Sequence, residues 1–394
     1  TFTLLGCVSA EPSELSLAIK EVVAATLDLK SSRMRYASAA ARLRAQLGHS
    51  AHDHARRRAE ASGAATEMPV SLRREIDGTP ILVRGRADIV WDGDEGLTVE
   101  EVKTSSADDG TLSDRGREAA RLQAALYALA LHAEQPERPI ELLVTVFGLV
   151  EREAPRQYRF PFDPEATEAS LRRGLTRWLE GARQREAARH RRAAMAEHIR
   201  LPFATARPGQ EEIIDAAKAA LAQSRPVLID APTGTGKTAA ALVPALRYAL
   251  EHDASVWFLT AKTTQRRLVA QTFAAMMARA QASEPPLRTV VLRRKDAMCP
   301  PGHLRCHPKH CPLLARFEQE GEAALPKLLE QEGTVLSPEA VYAFGKEAQL
   351  CPYELMHAAA HEAELVVGDY HHGFDPRSVR THGTGSMRRV VVVD

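Results

Sequence analysis

The rhythm of apolar and polar positions changes along the chain, and each change predicts a different kind of element. Over residues 14–62 the apolar side chains fall at mixed three- and four-residue spacing (Leu15, Ile19, Val22, Val23) among many Ala and Arg residues, which predicts helix. From Glu67 to Lys103 the pattern becomes strand-like: VSLRREI, the turn Asp77-Gly78, PILVRGRADIVW, a second turn at Asp92-Gly93-Asp94, then LTVEEVK. Helix is predicted again over 114–134 and strand over Ile140–Val150. Residues 163–200 read as a charged helix rich in Arg (Arg183, Arg185, Arg189, Arg191, Arg192), ending at Leu201-Pro202-Phe203. Such a helix is either a solvated connector or a surface facing a polyanion. Beyond it, strands and helices alternate as in a parallel, doubly wound sheet, interrupted by an insert from about 293 to 355.

Composition narrows this picture. At roughly 150 residues per domain, 394 residues predict two or three domains. Apolar residues are 44% and charged residues 26%, as in a soluble protein with sizeable cores. Lys and Arg number 52 against 51 Asp and Glu, so a global positive charge is excluded while local basic surfaces are not. No run of 18 apolar residues exists and Thr1–Ala10 lacks a basic lead-in, so neither a membrane span nor a signal peptide is expected. A cytoplasmic location is the expectation. The start at Thr1 and the stop at Asp394, directly after the apolar run Val390–Val393, predict a fragment that lacks at least its C-terminal part. Five cysteines are too few for a disulfide scaffold, and four lie between Cys299 and Cys351.

VLIDAPTGTGKTAAAL (227–242) is an apolar strand, a Gly-rich turn and a helix. Main-chain amides of such a turn (Gly234, Thr235, Gly236) and the helix N-terminus cradle phosphates. Lys237 is expected to reach the β- and γ-phosphates of ATP, and Thr238 to ligate Mg²⁺. The first Gly of the general pattern is Ala231 here, and the form A-x-x-G-T-G-K-T resembles superfamily 2 helicases. That resemblance implies that Gln210, in Arg207-Pro-Gly-Gln, reads adenine. It also implies that Lys262, Thr263 and Thr264, after the strand VWFLT, grip the DNA backbone. A helix N-cap with a solvated Lys is the other reading of those three. VVVVD (390–394) has the pattern of a strand delivering Asp394 to Mg²⁺ at a sheet edge. In helicases a Glu follows, commonly in D-E-A-H. A chain ending before it is expected to bind ATP but hydrolyse it poorly.

Cys299, Cys306, Cys311 and Cys351 follow C-x6-C-x4-C-x39-C, unlike the paired C-x2-C of most zinc sites. Four thiolates spread unevenly over an insertion suit a 4Fe–4S cluster, while His303, His307 and His310 keep zinc open as an alternative. The order of motifs, continued by CPYE (351–354) and ELVVGDYHHGFDPR (364–377), resembles iron–sulfur helicases of the XPD/DinG type over residues 200–394. In that family the cluster domain helps part the duplex.

In the N-terminal half, Arg84-Gly85-Arg86-Ala87-Asp88 ends one predicted strand, Glu101-Val102-Lys103 lies on the next, and Gln123-x-x-x-Tyr127 on the following helix. Residues 101 and 103 share one face of a strand. Asp88 on the paired strand can join Glu101 in holding a divalent cation that polarises a phosphodiester and its water, with Lys103 orienting the water or stabilising charge. A surface ion-pair cluster is the bland alternative. G-x-x-D, E-x-K and Q-x-x-x-Y in this order resemble RecB-type PD-(D/E)xK nucleases over residues 35–150. The resemblance implies Mg²⁺ or Mn²⁺ at Asp88 and Glu101, with His52 of Gly48-x-x-x-His52 as a further metal ligand. His49 and His54 are rivals for that role, and Glu67 is a family acid without an assigned place. Gln123 and Tyr127 are implied to contact DNA or steady the site, though Tyr127 also suits a core.

The expected fold class is therefore α/β throughout: a PD-(D/E)xK nuclease-like α/β domain over 1–160, a charged helical connector over 161–200, and a RecA-like P-loop parallel-sheet motor domain over 201–394 with an iron–sulfur insertion. The resemblances together imply an ATP-dependent DNA helicase fused to a metal-dependent nuclease, acting on single-stranded or forked DNA in repair or recombination. A non-cleaving DNA-binding N-terminal module, or an ATP-switched protein with a zinc insert, are the alternatives.

Overall fold

The computed structural model describes residues 14–29, 52–105, 111–148, 155–280, 286–300, 302, 306, 310–375 and 388–394. Gly48, His49, His303 and His307, singled out above, lie outside them. The chain divides into two compact units, residues 1–32 with 37–184 and residues 33–36 with 185–394.

The first unit is a six-stranded mixed sheet carrying helices. Its elements are β1 (Leu15–Ala18), α1 (Ile19–Thr26), α2 (52–61), β2 (Ala65–Ile76), β3 (Thr79–Gly93), β4 (Gly96–Ser105), α3 (Asp114–Glu134), β5 (Ile140–Gly148), β6 (Arg156–Pro161) and residues 164–184 of α4 (Pro164–Met195). The β2–β3 hairpin closes at Asp77-Gly78, both with positive φ (48° and 72°), the backbone a two-residue turn requires to match strand twist. α3 lays an apolar face of Leu122, Leu126 and Leu129 on the sheet, and α4 adds Leu171, Leu175 and Leu179 to the same core. Arg74 on β2 grips Glu168 on α4 with Nε and Nη2, at 2.7–3.0 Å.

Two expectations change. Leu15–Ala18, read as helix, is a strand paired in parallel with Ile81–Arg84. Four residues carry too little periodicity to distinguish the two, and the neighbouring strand decides. The apolar segment Val227–Asp230 is not a strand of the sheet, and Leu228 is 97% exposed. An apolar run states what it can bury but not which edge it will pair with.

β3 decides where the first site lies. One of its edges is taken by β2 along residues 79–90. The other is shared, by β1 along 81–84 and by β4 along 89–93. Gly85–Asp88 fall between those two partners, so the sheet has a notch there among the described residues.

The second unit has a parallel five-stranded sheet in the order β11-β7-β10-β8-β9, comprising β7 (Ala254–Leu259), β8 (Thr289–Val291), β9 (Val335–Leu336), β10 (Leu365–Gly368) and β11 (Arg388–Val393). All of β7 is buried, the continuous apolar pattern of a parallel strand covered on both faces. Its helices are α5 (Gln210–Ala222), α6 (Lys237–Glu251), α7 (Thr263–Arg279), α8 (Lys295–Met298), α9 (Pro312–Glu332), α10 (Pro338–Glu347), α11 (Pro352–His361) and α12 (Tyr370–Phe374). The cysteine insert does not fold apart from the sheet: Phe317, Leu328, Val341 and Leu355 share one core with Leu259, Val290 and Val366.

Candidate functional sites

In the notch of the first unit the Asp88 carboxylate replaces a ladder bond. Its Oδ2 accepts the main-chain N–H of Val102 at 2.8 Å, where a carbonyl of β3 would otherwise stand. Burial pushes the Asp88 acid up from its ordinary range, opposed by that amide and by the nearby His52 and Lys103. The next position on β4, Glu101, is 1% exposed. Burial raises its pKa to about 8; Lys103 draws it down and Asp88 pushes it up. Lys103 Nζ donates to Glu101 Oε1 and, at 3.1 Å, to Gln123 Oε1. Gln123 Nε2 in turn donates to Tyr127 Oη at 2.8 Å, and burial raises the phenol of Tyr127. A hydrogen-bonded file thus runs Glu101–Lys103–Gln123–Tyr127 from β4 to α3.

Gly85 gives Tyr127 access to the sheet beside the notch. A Cβ there would lie 2.7 Å from Ile19 Cδ1 and 2.8 Å from Tyr127 Cε1, so the tyrosine ring reaches the sheet only over a glycine. Tyr127 is therefore both core, at 5% exposure, and a member of the polar file. His52, at the described start of α2, has Nδ1 3.9 Å from Asp88 Oδ2. Glu67, an acid without an assigned place in the sequence, is held by Arg56 at 3.1 Å and Arg86 at 3.9 Å. Its charge reaches Asp88, raising that acid slightly further. Arg56 was not foreseen, because α2 offers several arginines and only the fold points one at Glu67.

His52, Asp88 and Glu101 are thus neighbours, but not a closed ligand shell. Among the described residues no three His, Cys, Asp or Glu side chains stand ready to hold one metal ion. Glu101 Oε2, however, is buried with no hydrogen-bond partner. A buried carboxylate oxygen left unsatisfied costs about 1–3 kcal/mol or more, which a cation bound there removes. The residues fit a divalent ion on that ground.

In the second unit the phosphate loop turns at Gly234 and Gly236, with φ of 89° and 76° that a side chain would strain. Lys237 Nζ donates to the carbonyls of Ala231 and Pro232, at 2.6 and 2.9 Å. Gln210 is fully buried and both ends of its amide are used: Oε1 accepts from the Arg207 amide at 2.7 Å, and Nε2 donates to the Gly236 carbonyl at 3.2 Å. Arg207 Nη1 donates to the Gly234 carbonyl at 2.8 Å. The predicted adenine-reading segment therefore grips the phosphate loop itself. Asp394 follows β11, which pairs with β7 through Val393–Leu259. Its carbonyl accepts from Tyr370 Oη at 2.6 Å, a contact the sequence did not signal. Lys262 is the N-cap residue of α7, and Thr263 and Thr264 form its first turn without a side-chain cap bond. Both threonines line a cavity of about 740 Å³ with Arg266, Arg267 and Arg293.

No disulfide joins Cys299, Cys306, Cys311 and Cys351, and among the described residues the fold does not bring three of them together as ligands of one metal ion. Cys311 and Cys351 each stand at the N-cap of a helix with Pro next, in α9 and α11. The Cys351 amide bonds to the Leu313 carbonyl at 3.1 Å, which ties these two helix starts together. Burial raises the Cys351 thiol to about 12, opposed by the main-chain amides of Tyr353 and Glu354 that face its sulfur. Cys306 accepts from the Lys295 ammonium, which also lies 5.1 Å over the Tyr353 ring. Cys299 follows α8.

Residues 6–216 match the family described as PD-(D/E)XK nuclease superfamily. Residues 207–297 match DEAD/DEAH box helicase, and residues 274–394 match DEAD_2. A solved structure described as "Crystal structure of SSO0001" is 17% identical with a TM-score of 0.30, covering 43% of this chain and 78% of its own. Another, "XPD_Helicase", is 18% identical with a TM-score of 0.35, covering 49% of this chain and 33% of its own. Neither likeness is close enough to carry an argument about a site. No helix among the described residues is long and apolar enough to cross a membrane.

Proposed function

The chain belongs to the PD-(D/E)XK nuclease superfamily over its N-terminal half and carries helicase-family sequence after it, and from that premise we propose that it is an ATP-driven DNA helicase that also cuts DNA. The observation that carries the nuclease half is the Glu101 carboxylate: buried in a strand notch beside Asp88, with one oxygen unsatisfied and the other held by Lys103.

Asp88 and Glu101 would hold Mg²⁺ or Mn²⁺, with His52 at the open side. When bound, such an ion polarises a phosphodiester and lowers the pKa of its water. Lys103 keeps the E-x-K face in register, and its ammonium stabilises charge that develops on the phosphate. Gln123 fixes Lys103 from the far side, and Tyr127 fixes Gln123, so the lysine cannot swing to another rotamer without breaking its bonds to Glu101 and Gln123.

In the second unit Lys237 would exchange two carbonyls for the β- and γ-phosphates of ATP, and Thr238 and Asp394 would hold its Mg²⁺. Lys262, Thr263 and Thr264 are the residues we assign to the DNA backbone, a contact that carries no base sequence. Cys299, Cys306, Cys311 and Cys351 would hold a 4Fe–4S cluster. The reading rests on the spacing of the four cysteines and on the Lys295 cation beside Cys306, which favours thiolate there; at Cys351 burial disfavours thiolate, and the main-chain amides of Tyr353 and Glu354 offset only part of that cost. The setting we infer is repair or recombination on single-stranded or forked DNA.

Cleavage of single-stranded and flapped DNA in Mg²⁺ or Mn²⁺, with Lys103→Ala as control, tests the first claim. Metal-dependent cutting that the variant lacks is expected; equal cutting by both removes the site. Iron and labile sulfide in anaerobically purified protein test the cluster, and stoichiometric zinc in their place overturns it.

A further inference from the structure

α7 begins at Thr263 and its first turn has two faces. Thr263, Thr264, Arg266 and Arg267 line the 740 Å³ cavity, together with Arg293 and Ser337. Gln265, between them, turns the other way: its Nε2 donates to Thr238 Oγ1 at 3.2 Å, on the phosphate loop's own helix. The helix start is pinned from behind, since the amides of Gln265 and Arg266 both bond to the Lys262 carbonyl at 3.1 Å. One turn of helix thus touches the nucleotide loop on one side and the cavity on the other.

We propose that Gln265 is a positioning residue that couples the phosphate loop to the cavity, so that nucleotide and nucleic acid alter each other's affinity through it. The inference rests on the functional reading above, which puts ATP at Thr238 and the DNA backbone at Thr263 and Thr264. A threonine hydroxyl has one hydrogen and two lone pairs. Gln265 takes one lone pair, leaving the other for a cation and the hydrogen free to donate. A cation at Thr238 fixes that hydroxyl, and with it the Gln265 amide and the turn that carries the threonines. Coupling of this kind is reciprocal: whatever factor the nucleotide imposes on nucleic-acid affinity, the nucleic acid imposes on the nucleotide.

The test uses the full chain, a fluorescent non-hydrolysable ATP analogue with Mg²⁺, and a labelled single-stranded oligothymidylate. Each affinity is measured with and without the other ligand saturating. Wild type is expected to show a coupling factor in the range of about 5- to 150-fold. Gln265→Ala is expected to bring that factor to about one. Affinity for each ligand alone should stay within about twofold, because the residue touches neither. Gln265→Met, which keeps the side chain's length but has no group to hydrogen-bond Thr238, is expected to lose coupling as well, and serves if the alanine variant does not fold by circular dichroism. Coupling that survives in either folded variant overturns the role of Gln265 and leaves the motor reading intact. Absence of nucleotide or oligonucleotide binding by wild type overturns the motor reading, and this inference with it.

Discussion

In the first unit the site carboxylate Glu101 is 1% exposed and keeps one oxygen without a hydrogen-bond partner, whereas in the second the phosphate-loop Lys237 has both neighbouring carbonyls of its own loop as partners. The difference follows from the backbone that carries each group. Glu101 sits on β4, whose ladder with β5 runs unbroken from Leu97 to Ser105. A stiff sheet can hold a buried acid where its surroundings do not satisfy it, because the cost is spread over a strand that many other bonds fix. A Gly-rich loop has no such frame, and its polar groups close on one another. The sheet consequently sets the two acids in place without closing a ligand shell around them, while the phosphate-loop lysine must trade internal bonds for external ones. Strained or unsatisfied groups of the first kind are the more informative pointers to function.

The contrast is broken most directly at Glu101. Glu101→Gln keeps the shape and removes the charge; DNA cleavage in Mg²⁺ is expected to fall by at least about a hundredfold, the scale of a lost catalytic group. Binding of the ATP analogue should stay within about twofold of wild type. Cleavage that persists in a gel assay shows that the buried oxygen has no part in the chemistry. Lys237→Ala examines the other side. Charged hydrogen bonds contribute about 1.5–3 kcal/mol, so nucleotide affinity is expected to drop roughly ten- to a hundredfold in an anisotropy titration, with cleavage retained. Loss of both activities would mean the two sites are not independent.

Titration sharpens the comparison. The pKa of Glu101 is raised in the fold to about 8 from an ordinary 4.5, so between those values the folded chain binds more protons than the unfolded one. Stability in EDTA should therefore be full below the lower value and decline as pH rises toward the upper one. Melting curves across that range should show the decline in wild type and a smaller one in Glu101→Gln. A cation needs the ionised form, so Mn²⁺ affinity, followed by calorimetry, is expected to rise over the same window and level off above pH 8. A pH-independent affinity would contradict the buried acid. The smallest effect is structural: Gly85→Ala puts a methyl group within 2.8 Å of both Ile19 and Tyr127, and a loss of about 1–3 kcal/mol is expected in urea unfolding.

Much of the fold is legible in the sequence where periodicity is long. α3 occupies Asp114–Glu134, as its apolar spacing predicts, and the hairpin turn falls on Asp77-Gly78 because those residues tolerate positive φ. Four-residue segments are not legible: Leu15–Ala18 becomes a strand through Ile81–Arg84, and Val227–Asp230 stays off the sheet. E-x-K places Glu101 and Lys103 on one face by strand geometry alone. That Asp88 bonds a main-chain amide of β4, or that Arg56 holds Glu67, depends on pairing between elements distant in the chain, which residue spacing does not encode.

The sequence by itself determined which chemistries this chain can carry: carboxylates with a lysine at strand spacing, a phosphate loop between apolar flanks, and four thiols in one insert. Those are local patterns, fixed by side-chain identity and the period of a helix or strand. The tertiary structure alone decided how each is poised. It opened a notch where β1 and β4 share one edge of β3, buried Glu101 inside it with an oxygen to spare, and turned Gln265 away from its neighbours toward Thr238. Burial and the direction of a hydrogen bond are properties of the surroundings, and the surroundings are assembled from residues far apart in sequence.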